Sequence, residues 1–227
     1  MISTTPPTPI PHLYPVMLDL TGRRVLVVGG GVIALRKTEA LLEAGAQITV
    51  VSPDFNPQWE PFAARVTQID RAYQSNDAAG YWLVITATND PAAQQQVFED
   101  GERLGVWVNA ADDPQRCAFI LPAVHRDGPV IVSVSTSGSA PALAGWLRDR
   151  LVRALPSGVG RLAVQLRSER DAVHDSGRST EGMDWRGRID ELVSGTDDGS
   201  TTDQVSSEAS LPREPRIPPG RDAPAPS

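Results

Sequence analysis

Three consecutive glycines, Gly29-Gly30-Gly31, cut short the apolar run Val25-Leu26-Val27-Val28, and an amphipathic stretch from Ala34 through Ala44 follows at once. Gly29, Gly31 and the small Ala34 fit the spacing G-x-G-x-x-A. In that pattern the first glycine permits a tight turn and the second lets a pyrophosphate come against bare backbone. The small third residue lets helix and strand close together. The N–H groups at the helix start, with the helix dipole behind them, favour an anion. Gly29, Gly30 and Gly31 are therefore candidate dinucleotide-binding residues. A tight strand-to-helix turn that binds nothing has the same composition, so the flanking elements must separate the two readings.

Those elements form a βαβ unit. Gly45 stands where a helix C-cap belongs, and a second apolar strand runs from Gln47 to Val51. In a dinucleotide site an acidic residue about 20 positions beyond the glycines holds the ribose hydroxyls. Ser52-Pro53-Asp54 lies there, with Asp54 slightly late and equally suited to a turn; no arginine stands by for a 2′-phosphate, so NAD is favoured over NADP. Tyr14–Leu20 reads as an edge strand, Phe62–Tyr73 holds a short strand, and Tyr81–Ala87 is a buried one. Ligands of open α/β sheets sit outside the carboxyl ends of strands, which makes Thr86, Thr88 and Asn89 candidate cofactor contacts. Asn89 and Asp90 serve equally well as caps for the helix that runs on to Arg103. The next strand, Gly105–Asn109, also ends in polar residues: Asn109, Asp112 and Asp113.

Beyond Pro114 the parallel rhythm stops. Cys117–Leu121 and Pro129–Ser135 read as antiparallel strands joined through His125-Arg126-Asp127-Gly128. Ser139 is a plausible N-cap and Pro141 a first-turn residue for a helix whose Leu143, Trp146, Leu147, Leu151 and Leu155 recur at helical spacing. Val159–Val173 and Met183–Val193 read as shorter helices. From Ser194 onward Ser, Thr, Asp, Gly and Pro dominate and disorder is expected, while Met1–Pro11, rich in Pro and Thr, reads as a flexible lead-in.

With 227 residues and 40% hydrophobic content the chain can bury a real core. A net charge of −7 and a pI near 5.0 argue against general attraction to nucleic acid or anionic membranes. No stretch has the length to span a bilayer and no secretory leader is evident, which points to the cytoplasm. The single Cys117 cannot form an intrachain disulfide and reads as a small buried hydrophobe. His12, His125 and His174 are scattered, so no metal-ligand spacing is present.

Taken in order, VLVVGGGVIALRK, LLEAGAQITVVSP, ITATND, NAADDP with CAFILPA after it, and VSVSTSGSAPALAGWLRDRL resemble the precorrin-2 dehydrogenase family, stand-alone or as the amino-terminal half of siroheme synthase. The resemblance runs from about Tyr14 to Val193. It implies an α/β fold: a Rossmann-type parallel sheet, then a small strand-plus-helix dimerisation region and a short helical end. The corresponding boundaries are a lead-in over 1–13, an NAD-binding domain over 14–114, dimerisation over 115–155, a helical region over 156–193 and a tail over 194–227. The resemblance places cofactor contacts at Val32, Ile33, Pro53 and Asp54 and the catalytic carboxylate at Asp112. A base there would take the ring proton that leaves as a hydride goes to the nicotinamide. Adjacent Asp113 could raise the pKa of its neighbour or cap a turn.

The substrate that the resemblance implies, precorrin-2, carries many carboxylates. Asn109, Arg116, Ser135, Thr136 and Ser137 are the residues expected to meet it, with Arg126 and Arg148 further candidates by position. Thr136 stands where some relatives have a phosphorylatable serine. The implied product is sirohydrochlorin, with ferrous iron as a second substrate in members that also make siroheme. A homodimer is implied, and precorrin-2 would come from a separate uroporphyrinogen methyltransferase. The competing reading is a non-catalytic module that binds NAD or a tetrapyrrole, favoured by the weak acidic position after the second strand.

Overall fold

Strand β1 (Arg24–Val28) is buried from Val25 onward, and its alternating side chains divide the interior in two. Val25 and Val27 join Ile48, Val50, Trp59 and Ile85 in one cluster, whereas Leu26 and Val28 join Val51, Val84, Val97 and Val108 in another. A strand with two apolar faces suits a parallel sheet covered on both sides. This computed structural model describes residues 12–111, 113 and 116–197. After β1 come α1 (Val32–Glu43), β2 (Gln47–Ser52), a 3-10 helix (Pro57–Arg65), β3 (Thr67–Asp70), β4 (Leu83–Thr86), α2 (Pro91–Leu104) and β5 (Trp107–Ala110).

The five strands pair in parallel in the order β3-β2-β1-β4-β5. The chain thus builds outward from β1 to β3, then crosses back to start β4 on the other side of β1. This reversal is a topological switch point, and the β1–α1 turn stands at it. Helix α1 gives Ala34 and Leu35 to the first cluster, and α2 gives Val97 to the second, so the two helices cover opposite faces.

A two-stranded antiparallel hairpin follows, β6 (Ala123–Asp127) and β7 (Val130–Val134), turned through Gly128 at φ 54° and Pro129. Helix α3 (Pro141–Arg153) packs on both of its strands. Helices α4 (Val159–Asp175) and α5 (Trp185–Asp197) complete the described chain. The chain divides into two compact units, Met1–Arg167 and Ser168–Ser227. Within the second, Arg188 bridges Glu169, at 2.8 and 3.0 Å, and Glu191, at 3.3 Å. None of the described helices is long and apolar enough to cross a membrane.

Three expectations are corrected. Tyr14–Leu20 forms no strand: Pro15 removes a ladder donor, and only Leu20 of the segment is buried. Cys117–Leu121 is not a hairpin arm, which is instead Ala123–Asp127. The Asn109 side chain takes the Phe119 carbonyl at 2.9 Å, and Pro122 follows. The N-cap of α3 is Ala140 rather than Ser139, and its N–H donates to Thr136 Oγ1 at 3.1 Å. The expected flexible lead-in over Met1–Pro11 and the expected disorder beyond Asp197 lie outside the described residues, whereas Ser194 to Asp197 continue α5.

One buried carboxylate ties α2 to the segment after β3. Asp100, 3% exposed, accepts from the Tyr73 hydroxyl at 2.8 Å, the Asn76 N–H at 2.9 Å and the Ser75 hydroxyl at 3.3 Å, and it pairs with Arg103. Burial alone would push its carboxyl up; Arg103, the Asn76 N–H and Tyr73 outweigh it and hold the group below the usual carboxylate range. Burial and this bond push the Tyr73 phenol up, so it remains a donor. Asp100→Ala leaves several buried donors unpaired, and a cost of about 3 kcal/mol is expected, seen as a Tm lower by about 10 °C. Because the folded-state pKa is depressed, the stabilisation is complete above about pH 4 and is lost as pH falls through the lower folded value. Thermal melts of wild type and variant should therefore converge in acid.

Candidate functional site

The glycine turn is built from backbone packed on backbone. Gly29 sits at φ 120°, donates its N–H to the Val51 carbonyl at 2.9 Å, and would place a Cβ 2.3 Å from the Ala87 carbonyl oxygen. A Cβ on Gly30 would fall 2.0 Å from the Asp54 carbonyl oxygen. The Gly30 carbonyl accepts from the Asn56 N–H at 2.9 Å and from the Trp59 indole at 2.7 Å. Gly31 differs from both: its φ of −80° and ψ of 179° suit any residue, and a Cβ there would meet nothing within 4 Å. Gly29 and Gly30 are glycines because the fold leaves no room. Gly31 is bare for no reason internal to the fold.

The helix start beside Gly31 is open as well. Gly31 is the N-cap of α1; it gives no side-chain cap, and the first turn holds no acidic residue. Helix α2 shows the alternative, since Asp90 Oδ1 accepts from the N–H groups of Ala92 at 2.9 Å and Ala93 at 3.3 Å. Asp90 is thus the cap of α2. Val32 and Ile33, apolar yet 45% and 51% exposed, flank the open end of α1. Uncapped first-turn N–H groups with an unobstructed approach are what an anionic group needs.

Around this turn the structure gathers most of the sequence-derived cofactor candidates. Ser52 donates its hydroxyl to the Asp54 carbonyl at 2.7 Å, bending the chain at exposed Pro53 and Asp54 against Gly30. A pocket of about 290 Å³ opens at the carboxyl ends of β4 and β5, lined by Ile33, Ala87, Thr88, Asn89, Gln94, Ala111 and Asp113. Thr88 is fixed there, its carbonyl accepting from Gln94 Nε2 at 2.6 Å and its hydroxyl from the Asp90 N–H at 3.2 Å. Thr86 lies fully buried and outside this lining, with a hydroxyl that has no partner among the described residues. A larger hollow of about 680 Å³, lined by Arg24, Gln47, Arg65, Thr67 and Tyr81 among others, borders the amino-terminal ends of the strands. Open parallel sheets bind at the other end.

On the β5 side, Asn109 is buried: it accepts from Lys37 Nζ at 3.3 Å and donates to the Phe119 carbonyl at 2.9 Å. Lys37 of α1 therefore reaches β5. Cys117 is half-buried rather than fully buried. Its Sγ accepts from the Ala110 N–H and faces the carbonyls of Ala110 and Asp113, each at 3.2 Å. Burial pushes this thiol up, which keeps it protonated and donating. Asp113 pairs with Arg116, whose Nε donates to Gln95 at 3.1 Å, and the Asp113 carbonyl closes a turn on the Arg116 N–H at 3.1 Å. Asp112 lies outside the described residues.

Ser135, Thr136 and Ser137 occupy the loop before α3. Ser135 accepts from the Ser137 N–H at 3.0 Å, Ser137 sits at φ 54°, and none of the three lines the pocket. Arg126 is exposed on β6, and Arg148 pairs with Asp149 at 2.7 Å. Among the described residues, no group of three His, Cys, Asp or Glu side chains could hold a metal ion. Trp59 had no functional signal in the sequence beyond the Asn56-Pro57 helix start before it, where Asn56 Oδ1 caps the Gln58 N–H at 2.9 Å.

Residues 16–123 match the family described as "Putative NAD(P)-binding". The chain is similar to siroheme synthase 2 of Aeromonas hydrophila, at 42% identity over 149 residues, which cover 66% of this chain and 32% of that protein. It is similar to siroheme synthase of Nitrosococcus oceani at 39% identity over 150 residues, covering 65% and 32%. The chain thus spans about a third of the length of these curated relatives. Among solved structures it is similar to SirC, a precorrin-2 dehydrogenase, with a TM-score of 0.62 and 29% identity over 81% of this chain and 88% of that one.

The adjacent glycines should respond differently to one methyl group. Gly30→Ala drives a Cβ into backbone and is expected to cost at least about 3 kcal/mol or prevent folding, whereas Gly31→Ala should melt within about 2 °C of wild type. Thermal denaturation of the two variants checks both.

Proposed function

We propose that this chain, which is similar to SirC and to the siroheme synthases, oxidises precorrin-2 to sirohydrochlorin with NAD. The observation that carries the reading is the bare, uncapped start of α1 at Gly31, set at the switch point of the sheet. Gly31, Val32 and Ile33 are the residues to hold the pyrophosphate, Pro53 and Asp54 those to meet the adenosine ribose, and Thr88 and Asn89 those to border the nicotinamide end. When bound, NAD supplies the hydride acceptor.

The chain's own chemical task is then a proton transfer. Asp112 is proposed as the base that accepts the departing ring proton; its neighbours Ala111 and Asp113 line the pocket that Thr88 and Asn89 also line. Asn109, with Lys37 against it, fixes the end of β5 from which that segment departs. Arg116 and the Ser135–Ser137 loop are the proposed contacts for substrate carboxylates, and Arg116 must share its charge with Asp113. Insertion of ferrous iron into sirohydrochlorin is a second proposed activity, with the metal as substrate.

Leu143, Trp146 and Leu151 on α3 are 47%, 53% and 49% exposed, an apolar face that supports a proposed homodimer built on 115–155, between an NAD-binding domain over 14–114 and a helical region over 156–193. A cytoplasmic enzyme supplied by a separate methyltransferase completes the proposal.

Anaerobic precorrin-2 with NAD should yield NADH and the sirohydrochlorin spectrum. Asp112→Asn is expected to lower kcat by about 100-fold or more, and Gly31→Ala to raise the KM for NAD by about tenfold with little change in that for precorrin-2. Calorimetric NAD binding without turnover would instead favour a sensor or carrier. Iron uptake by sirohydrochlorin is assayed without NAD, and a rate no faster than the spontaneous one would confine the protein to oxidation.

A further inference from the structure

We infer that Trp59 is a positioning residue for the cofactor turn: its buried indole N–H, with the Asn56 N–H, sets the peptide plane between Gly30 and Gly31 so that the Gly31 N–H faces an incoming anion. The inference rests on the NAD reading above and adds a residue to it.

A peptide between two glycines is the one most free to rotate, having no Cβ on either side. Rotated by half a turn, it would present the Gly30 carbonyl oxygen to a phosphate in place of the Gly31 N–H, turning attraction into repulsion. The fold prevents this with two donors. Trp59 Nε1 and the Asn56 N–H both reach the Gly30 oxygen, at 2.7 and 2.9 Å, which uses both lone pairs of that carbonyl. No peptide bond among the described residues is cis, so the Gly31 N–H points opposite to the Gly30 carbonyl. The carbonyl is directed at a tryptophan that is 2% exposed; the Gly31 N–H points the other way, and Gly31 itself is exposed, with room for an added Cβ that would meet nothing within 4 Å.

The donor is itself held. Trp59 lies in the 3-10 helix, its ring meets Phe55 edge to face with centroids 5.8 Å apart, and it belongs to the same core cluster as Val25, Val27 and Ile85. A phenylalanine could fill most of that volume. What it lacks is the N–H.

The test compares two variants that strip the same oxygen from different sides. Trp59→Phe keeps an aromatic ring in the core, and Asn56→Pro removes a backbone N–H at a position whose φ of −62° suits proline, together with the Oδ1 cap on Gln58. Asn56→Ala removes that cap alone and should leave the NAD Kd within about twofold. Ile48→Val, a core change in the same cluster, controls for general loosening. NAD is titrated into each full-length protein by calorimetry, and steady-state rates are measured with precorrin-2. The expected result is an NAD Kd raised about five- to tenfold in both turn variants. The control stays within about twofold, and kcat at saturating NAD and the KM for precorrin-2 are held. NAD affinity within about twofold of wild type in Trp59→Phe, or an equal loss in Ile48→Val, overturns the inference. Wild-type protein that binds no NAD overturns the functional reading and this inference with it.

Discussion

Backbone against backbone at the ends of three adjacent strands is the constraint on which the rest of the structure depends. The turn after β1 lies between the segment after β2, which meets Gly30 through the Asp54 carbonyl, and the segment after β4, which meets Gly29 through the Ala87 carbonyl. A methyl group fits at neither place. This contact brings the three chain segments to one spot, and it stiffens a turn that glycines alone would leave loose. It also has a direction: two glycines face inward to protein, and the third faces nothing.

Polar groups are distributed in keeping with that asymmetry. Away from the turn they are paired closely, as at Asp100, where four partners converge on one carboxylate, and at the start of α2, where Asp90 caps. The start of α1 is an exception, since it is uncapped, and the hydroxyls of Thr38 on α1 and Thr86 on β4 are fully buried with no partner among the described residues. A buried hydroxyl without a partner costs about 1–3 kcal/mol. The sequence leaves the start of α1 without a cap while pairing the turn before it, the usual mark of a site shaped for something other than stability.

The parts of this design that follow a short-range rule could be read before any coordinates. The βαβ unit, the buried strand before Thr86, the helix from Pro91 and the Asp127-Gly128 turn each depend on periodicity or on a glycine or proline at a fixed offset. Tyr14–Leu20 misled because apolar residues in a short segment show that it is able to pair, not that a partner strand awaits it. Cys117–Leu121 misled for a related reason: its apolar residues pack, but a side chain of β5 takes the Phe119 carbonyl that a ladder would need. Of the candidate site, the glycine turn and the pocket-lining Thr88 and Asn89 could be proposed from sequence. The bonds of Trp59, 29 positions from its acceptor, and of Lys37, 72 positions from Asn109, could not, because nothing local marks a hydrogen bond across that separation.

These two long-range bonds give the turn its place in the larger chemistry. Trp59 ties it to the β2 side of the switch point, and Lys37, one turn into the helix that the glycines open, ties that helix to the β5 side. Asn109 passes the connection on to the Phe119 carbonyl, while Cys117 closes the intervening loop onto Ala110. A ligand that ordered the start of α1 would therefore act on a helix already bonded to the strand from which Ala111 and Asp113 enter the pocket. The glycine turn and the segment proposed to accept the proton come from separate stretches of sequence, with each helix covering a different face of the sheet. Because α1 bridges the turn and β5 through a charged hydrogen bond, their spacing is set by one rigid element.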